Sequence, residues 1–218
     1  MKILAVEFSS AQRSVAVVQG GALLGRAVET GGHRALGLVE EALRKANCER
    51  EDIEIIAVGL GPGSYTGIRG GIALAQGWQL GRGVQVIGLS SVECLAAAAA
   101  DSAKKQQRLC GPVSIIIDAQ RSEFYLGRYE IGPDTWRETE PLRLASLAEI
   151  RELVARDERI LGPDAEQWIP TARNLYPDAA VLGQLARDRR YFVPAEKLEP
   201  IYLRATSFKK AAPVRVVE

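Results

Sequence analysis

Short apolar runs alternate with glycine turns along the first part of the chain. Lys2 to Phe8 carries one run, which as a strand ends at Glu7; Ser14 to Val18 carries a second, and Gly20-Gly21 turns the chain into Ala22 to Glu29. Runs of this length bounded by turn residues predict strands, here an antiparallel meander. After Gly31-Gly32 the period changes. Leu36, Val39, Leu43 and Ala46 recur at threes and fours with Ala35, Leu38 and Ala42 beside them, which predicts a helix over about His33 to Asn47. Its apolar surface is wider than one sheet contact needs. The β-branched run Ile53 to Val58 predicts a strand covered on both faces, broken by Gly59, Gly61, Pro62 and Gly63 before a helical pattern from Tyr65 to Arg82. Val84 to Leu89 reads as a strand, and Ser90 or Ser91 as the cap of a helix containing Ala96 to Ala100.

Gly111-Pro112 opens a second half patterned like the first. Val113 to Ile117 is an apolar strand with Asp118 at its end, a polar turn follows, Glu123 to Ile131 returns, and Pro133 to Glu140 continues the meander. Ser146 to Ala155 reads as a helix capped by Ser146, Arg159 to Leu161 as a short strand and Asp178 to Arg190 as a helix. From Ala205 the chain has no strong period and is expected to be extended or mobile. An acid closes the leading strand of each half, and Ala-Gln-Arg-Ser recurs at 11–14 and 119–122. The repeated order of strand, acid, hairpin and strand points to a duplication, with α/β lobes at 1–108 and 109–218.

On the helix from Tyr65 to Arg82, Gly67, Gly70, Gly71, Leu74, Gly77, Trp78 and Gly81 share one broad face. Each interior glycine costs about 1 kcal/mol relative to alanine, so helix propensity does not account for the stripe. Removing Cβ atoms lets another backbone or a ligand come close, and the expectation is another helix.

Composition narrows the partners. In 218 residues, 28 basic side chains oppose 27 acidic ones, so no net field draws the chain to nucleic acid or membrane. Cys48, Cys94 and Cys110 are odd in number and never CxxC, which favours buried thiols in a reducing cytosol over disulfides or a zinc site. The start MKILAVEFSS lacks the sustained apolar stretch of a signal peptide, and the longest apolar run, Cys94 to Ala100, is far short of the ~20 residues of a membrane span. A cytoplasmic location is expected.

The turn Gly59 to Gly67 invites an anion at a helix start, but it lacks the lysine of a P-loop and the spacing of a dinucleotide fingerprint. Glu7 and Asp118, at matching strand ends, are candidates to hold magnesium, with Ser9 and Ser10 placed to meet a phosphate. The alternative reading of these residues is turn formation. His33 is the only histidine, which removes any two-histidine metal site, and no nucleophile and base pair stands out. Arg187, Arg189 and Arg190 form the densest basic run, read as a solvated helix end in preference to an RNA contact.

Residues 3–10 (ILAVEFSS), 59–81 (GLGPGSYTGIRGGIALAQGWQLG), 87–91 (IGLSS), 117–129 (IDAQRSEFYLGRY) and 200–204 (PIYLR) together resemble the TsaB (YeaZ) family, in order and over nearly the whole chain. The resemblance implies an actin, sugar kinase and Hsp70-like (ASKHA) fold of two duplicated lobes. It implies a non-catalytic subunit of the machinery that forms threonylcarbamoyladenosine in transfer RNA. Its partners would be a TsaD-type catalytic homologue, a TsaE-type ATPase, a second copy of itself, and transfer RNA through the complex. No cofactor or metal of its own is implied; ATP or ADP and magnesium would belong to the complex. Carried onto this chain, the pairing helices are His33 to Asn47 and Tyr65 to Arg82, which gives His33, Leu36, Glu40, Leu43, Gly67, Ile68, Gly71, Ile72, Ala75 and Trp78 as partner-binding residues. A bulky charge at Gly71 or Ile72 is expected to break pairing and leave the monomer folded.

TsaD-type proteins carry H-x-x-x-H in the first of these helices, and here Gly37 stands four after His33. Within the TsaB pattern Glu7 replaces the usual aspartate, Phe8 a small hydroxyl residue, and Gln120 a common arginine. Three rivals remain: an ASKHA-fold phosphotransferase or ATPase using Glu7 and Asp118, a metallopeptidase-like protein, and a homodimeric binding module with no enzyme partner.

Overall fold

The computed structural model describes residues 1–31, 35–106 and 110–203. The first meander is present as β1 (Lys2–Glu7), β2 (Gln12–Gln19) and β3 (Ala22–Thr30), followed by α1 (Ala35–Lys45), β4 (Ile55–Gly59), α2 (Tyr65–Arg82), β5 (Gln85–Leu89) and α3 (Ser91–Gln106). The second half runs β6 (Gly111–Asp118), β7 (Glu123–Gly132), β8 (Thr135–Ser146), α4 (Leu147–Ala155), β9 (Arg159–Gly162), β10 (Arg173–Asn174) and α5 (Ala179–Arg187). Ser146 caps α4 by accepting from the Glu149 N–H, and Asp178 caps α5 by accepting from the Ala180 N–H. The expected helix start at His33 and the stretch from Ala205 lie outside the described residues.

The duplication is legible in the sheets. One has the order β3-β2-β1-β4-β5 and the other β8-β7-β6-β9-β10, so each strand has a counterpart. β1 pairs antiparallel with β2 and parallel with β4, as β6 does with β7 and β9. This is the ASKHA-type α/β architecture of two duplicated lobes. The repeated Ala-Gln-Arg-Ser is not part of it: Gln12 to Ser14 lie within β2, whereas Ala119 to Ser122 form the turn between β6 and β7. The true echo comes after the fourth strand of each lobe, where Gly61-Pro62 is matched by Gly162-Pro163. In the first lobe α2 follows; in the second only the 3₁₀ turn Ala165–Gln167 does.

Expected division at residue 108 separates the sheets but not the helices that cover them. Ala179, Leu182, Leu185 and Ala186 of α5 pack with Ile3, Ala5, Ala16, Ile55 and Ala57 on the inner face of the first sheet. Leu95, Ala96, Ala99, Ala100 and Ala103 of α3 pack with Val113, Ile115, Ile117 and Tyr129 on the second. The alanine run keeps this middle layer thin, because small side chains let α3 lie between α5 and a sheet. Cys94 and Ala97, on the other side of α3, join the α5 cluster. Outside the sheets, α1 and α2 cover the first and α4 the second.

Polar contacts fix α5 to the first lobe. The Ala179 N–H donates to Ser14 Oγ at 2.9 Å, and Arg26 Nε donates to both Asp178 carboxylate oxygens. Beyond α5 the chain returns along the first lobe. The Val193 N–H donates to the Val86 carbonyl, the Ala195 N–H to Gln79 Oε1, and the Ile201 N–H to the Leu60 carbonyl. Leu198 enters the core under α2. Among the described residues no helix is long and apolar enough to cross a membrane.

Gly183 is where α5 meets the sheet most closely: a Cβ there would lie 2.7 Å from Val18 Cγ2 and 3.3 Å from the Ala5 Cβ. Gly183→Val is expected to lower stability by about 1–3 kcal/mol through overpacking. Gly77→Ala, whose added methyl meets nothing within 4 Å, is expected to raise it by about 1 kcal/mol. Urea midpoints of the two variants against the parent check both signs.

Candidate functional site

The leading strands of the two lobes end at one cleft of about 400 Å³. Ser9, Ser10, Ser64 and Thr66 line one wall, and Asp118, Gln120 and Asp164 the other. Ser64 caps α2 by accepting from the Gly67 N–H at 3.2 Å, so the first turn of that helix opens onto the cleft. This closeness depends on glycine: a Cβ at Gly67 would lie 1.9 Å from the Phe8 carbonyl oxygen, and one at Gly63 would lie 2.1 Å from that of Ser9.

Glu7 does not reach the cleft. It is fully buried, with Oε1 accepting from the Ser9 N–H at 2.8 Å and Oε2 from the Ser91 hydroxyl at 2.8 Å. Ser91 Oγ in turn accepts from the Gly61 N–H at 3.1 Å. Ser90, the other candidate cap, performs the capping of α3 by accepting from the Val92 N–H. A Cβ at Gly59 would lie 2.0 Å from Glu7 Oε2, so the turn closes directly over the carboxyl. Burial raises the Glu7 pKa, against the hydrogen bonds from Ser9 and Ser91 that favour the anion; Asp178 adds to the rise. Ser9 Oγ, beside this carboxyl, has no hydrogen bond of normal geometry.

Asp118 is exposed at the cleft, its Oδ1 accepting from the Gln120 N–H at 2.7 Å. Gln120, Arg121 and Ser122 are all left-handed, with φ of 62°, 58° and 62°. Holding non-glycine residues there costs roughly 1–2 kcal/mol each, which the Asp118 bond helps to offset. The two candidate acids therefore lie in different surroundings: Glu7 is sealed beneath a turn and Asp118 is exposed at the rim. Matching strand positions made the two look equivalent, and the tight β4–α2 turn separates them. Ser9 and Ser10 do flank the cleft. Asp164, missed in the sequence, reaches it from the end of β9 and accepts from the Tyr176 hydroxyl at 2.5 Å.

Partner-binding candidates divide by exposure. Leu43, Gly67, Ile68, Gly71, Ile72 and Ala75 are buried in the chain's own core, and Trp78 packs against it. A Cβ at Gly71 would lie 3.3 Å from Val58 Cγ1, so a bulky charge there would disrupt the monomer, contrary to expectation. Leu36 is 69% exposed, and Glu40 is exposed in an ion pair with Arg50. His33 lies outside the described residues. The surface that α2 presents outward is instead Gly70, Ala73, Gly77, Leu80 and Gly81, with Leu80 92% exposed. The glycine stripe is thus two stripes, one packed on the sheet and one facing out. At the head of α2, the exposed Tyr65 ring stacks on Tyr202 with centroids 5.8 Å apart, and the Arg69 guanidinium lies 4.1 Å from its centroid.

The basic run is committed locally: Arg187 pairs with Asp188, Arg189 with Glu93, and Arg190 donates to the Arg187 carbonyl. Cys48 and Cys94 are buried as expected, but Cys110 is exposed. Burial, then the nearby Glu7, pushes the Cys94 thiol well above the ordinary range.

The chain's similarities agree with this geometry. A family model described as "TsaD: tRNA N6-adenosine threonylcarbamoyltransferase" matches residues 4–193. The "tRNA threonylcarbamoyladenosine biosynthesis protein TsaB" of Escherichia coli (strain K12) is 27% identical, over 94% of this chain and 95% of that protein. The protein of the same name from Bacillus subtilis (strain 168) is 27% identical over 94% of each. The solved structure "YeaZ from Pseudomonas aeruginosa" superposes with a TM-score of 0.74 at 27% identity, covering 93% of this chain and 99% of that one.

Glu7 gives a pH signature. Its folded pKa is raised above the ordinary 4.5, so the native state binds the proton more tightly than the unfolded chain does. Its contribution is complete below that ordinary value and is lost as pH rises through the folded pKa. Glu7→Gln is expected to flatten the fall in stability over that window, as measured by urea midpoints from pH 4 to 8. A parallel pH profile in parent and variant would refute this.

Proposed function

The chain belongs to the TsaD family, within it to the TsaB (YeaZ) group, and on that premise we propose that it is a non-catalytic subunit in the formation of threonylcarbamoyladenosine on transfer RNA. Its work is to bind and organise a TsaD-type homologue. The observation that carries this reading is the outward face of α2. Gly70, Ala73 and Gly77 present almost no side chain, Leu80 at the end of that stripe is nearly fully exposed, and α1 adds the exposed Leu36. A lone helix gains nothing from such a face, since each exposed glycine costs about 1 kcal/mol relative to alanine. A second helix laid along it could approach to the short end of the usual 8–10 Å interaxial range, with Leu36 and Leu80 as apolar anchors.

Two features support assignment of the chemistry to the partner. Gly37 occupies the position of the second histidine in the TsaD-type metal motif, and Glu7 is closed off from the cleft. ATP or ADP and magnesium, the TsaE-type ATPase and transfer RNA then belong to the assembled complex, in the cytoplasm. A second copy of the chain would use the same outward face when the homologue is absent. The burial of Glu7 also weakens the rival ATPase, whose two carboxylates would have to share one ion.

Leu80→Glu and Leu36→Glu change exposed side chains and are expected to leave the urea midpoint within about 0.5 kcal/mol of the parent. Each is expected to weaken association with the TsaD-type protein of the same host at least tenfold by titration calorimetry. Unchanged affinity in both variants would overturn the assignment of this face.

A further inference from the structure

Of the five buried residues on α2, only Ile68 and Ile72 carry more than a methyl group; the others are Gly67, Gly71 and Ala75. Leu74 and Trp78 add partly buried contacts. Packed elements are keyed in place by side chains that interdigitate, and a face this smooth gives the first sheet little with which to fix the roll and slide of the helix. Residues 193–203 supply a second hold, running antiparallel along one flank of α2. At one end, both backbone groups of Ala195 are taken by that helix: its N–H donates to Gln79 Oε1 at 2.7 Å and its carbonyl accepts from Gln76 Nε2 at 3.3 Å. Leu198 then enters the core, so close to β5 that a Cβ at Gly88 would lie 2.9 Å from Leu198 Cδ2. The Ile201 N–H donates to the Leu60 carbonyl at 2.9 Å, just ahead of the turn into α2. At the other end, Tyr202 lies on Tyr65 with the ring planes 22° apart.

We propose, resting on the partner reading above, that residues 193–203 are a splint that sets the position of α2 and with it the partner face, and that Tyr202 is the clasp at its end. Tyr65 is the first member of a stripe that continues through Arg69, Ala73, Gly77 and Leu80 at helical steps of four and three. All five are exposed, so the ring that Tyr202 holds belongs to the outward face. The Arg69 guanidinium lies over the same ring at 4.1 Å, which ties the second member of the stripe to the first. A tie at each end of the helix, at Ala195 and at Tyr202, resists both sliding and rolling. This matters for a partner because its two apolar anchors, Leu36 and Leu80, sit on different helices, and the spacing between them depends on how α2 lies over the sheet. Tyr202 is thus a positioning residue, acting on the partner through Tyr65 and the setting of α2.

Hydrogen exchange of the free protein, read by peptide mass spectrometry, tests this together with titration calorimetry against the TsaD-type protein of the same host. The variants are Tyr202→Ala and Tyr202→Phe; Tyr202 is 39% exposed, so both are expected to fold. In Tyr202→Ala the amides of residues 68–76 are expected to exchange faster by about fivefold or more, with those of β6 and β7 unchanged. Affinity for the TsaD-type protein is expected to fall by about fivefold or more, since a face that is no longer held must be ordered on binding. Tyr202→Phe keeps the ring and is expected to match the parent in both measurements. Unchanged exchange in α2 would overturn the splint, and so would a similar rise throughout the protein, which marks general destabilisation. Lost affinity with unchanged exchange would make Tyr202 a direct contact of the partner, and faster exchange with unchanged affinity would leave the face independent of the clasp; each overturns the positioning role. Failure of the partner reading itself is distinct, because it appears as unchanged affinity in Leu80→Glu and Leu36→Glu.

Discussion

The burial of α3 and α5 between the two sheets is the interaction on which the rest of the molecule depends. Each helix follows the strands of one lobe and covers the inner sheet face of the other, so neither sheet is complete within its own half of the sequence. Alanines on α3 and Gly183 on α5 make the layer thin, and Ser14 and Arg26 hold the head of α5 in place. With that layer set, the C-terminal ends of β1 and β4 must face those of β6 and β9 across a gap, and the cleft follows from the topology.

A second constraint acts at the cleft's inner end. One buried carboxyl, Glu7, receives hydrogen bonds from the residue after β1 and from the start of α3, and the same serine receives one from the β4–α2 turn. Three chain segments converge on a group that has no room to move, because Gly59 lies against it. In such surroundings the acid is spent on architecture.

Much of the fold could be read from the chain. Strand runs, the Ser146 cap and the span of α2 follow from local chemistry, and the duplication follows from the repeated order of apolar runs and acids. Depth was not legible. Glu7 and Asp118 occupy like positions in sequence and opposite environments in space, since what separates them is a turn closing from another strand. The glycines of α2 were similarly ambiguous, because periodicity locates a face to within about one residue's rotation of 100° and the inner and outer stripes lie side by side. The return of residues 193–201 along the first lobe leaves no periodic signal: its hydrogen bonds go to distant backbone and to Gln79.

The exchange of final helices between lobes bears on how the chain comes off the ribosome. When β1 to β5 have emerged they can pair and bury their outer face under α1 and α2, but the inner face, with Ile3, Ala5, Ile55 and Ala57, waits for residues 179–187. At roughly 5–20 residues per second that interval lasts several seconds. For that time a half-finished sheet presents bare aliphatic surface, so the nascent chain is a natural client for a holding chaperone, and the first lobe is the last to be sealed.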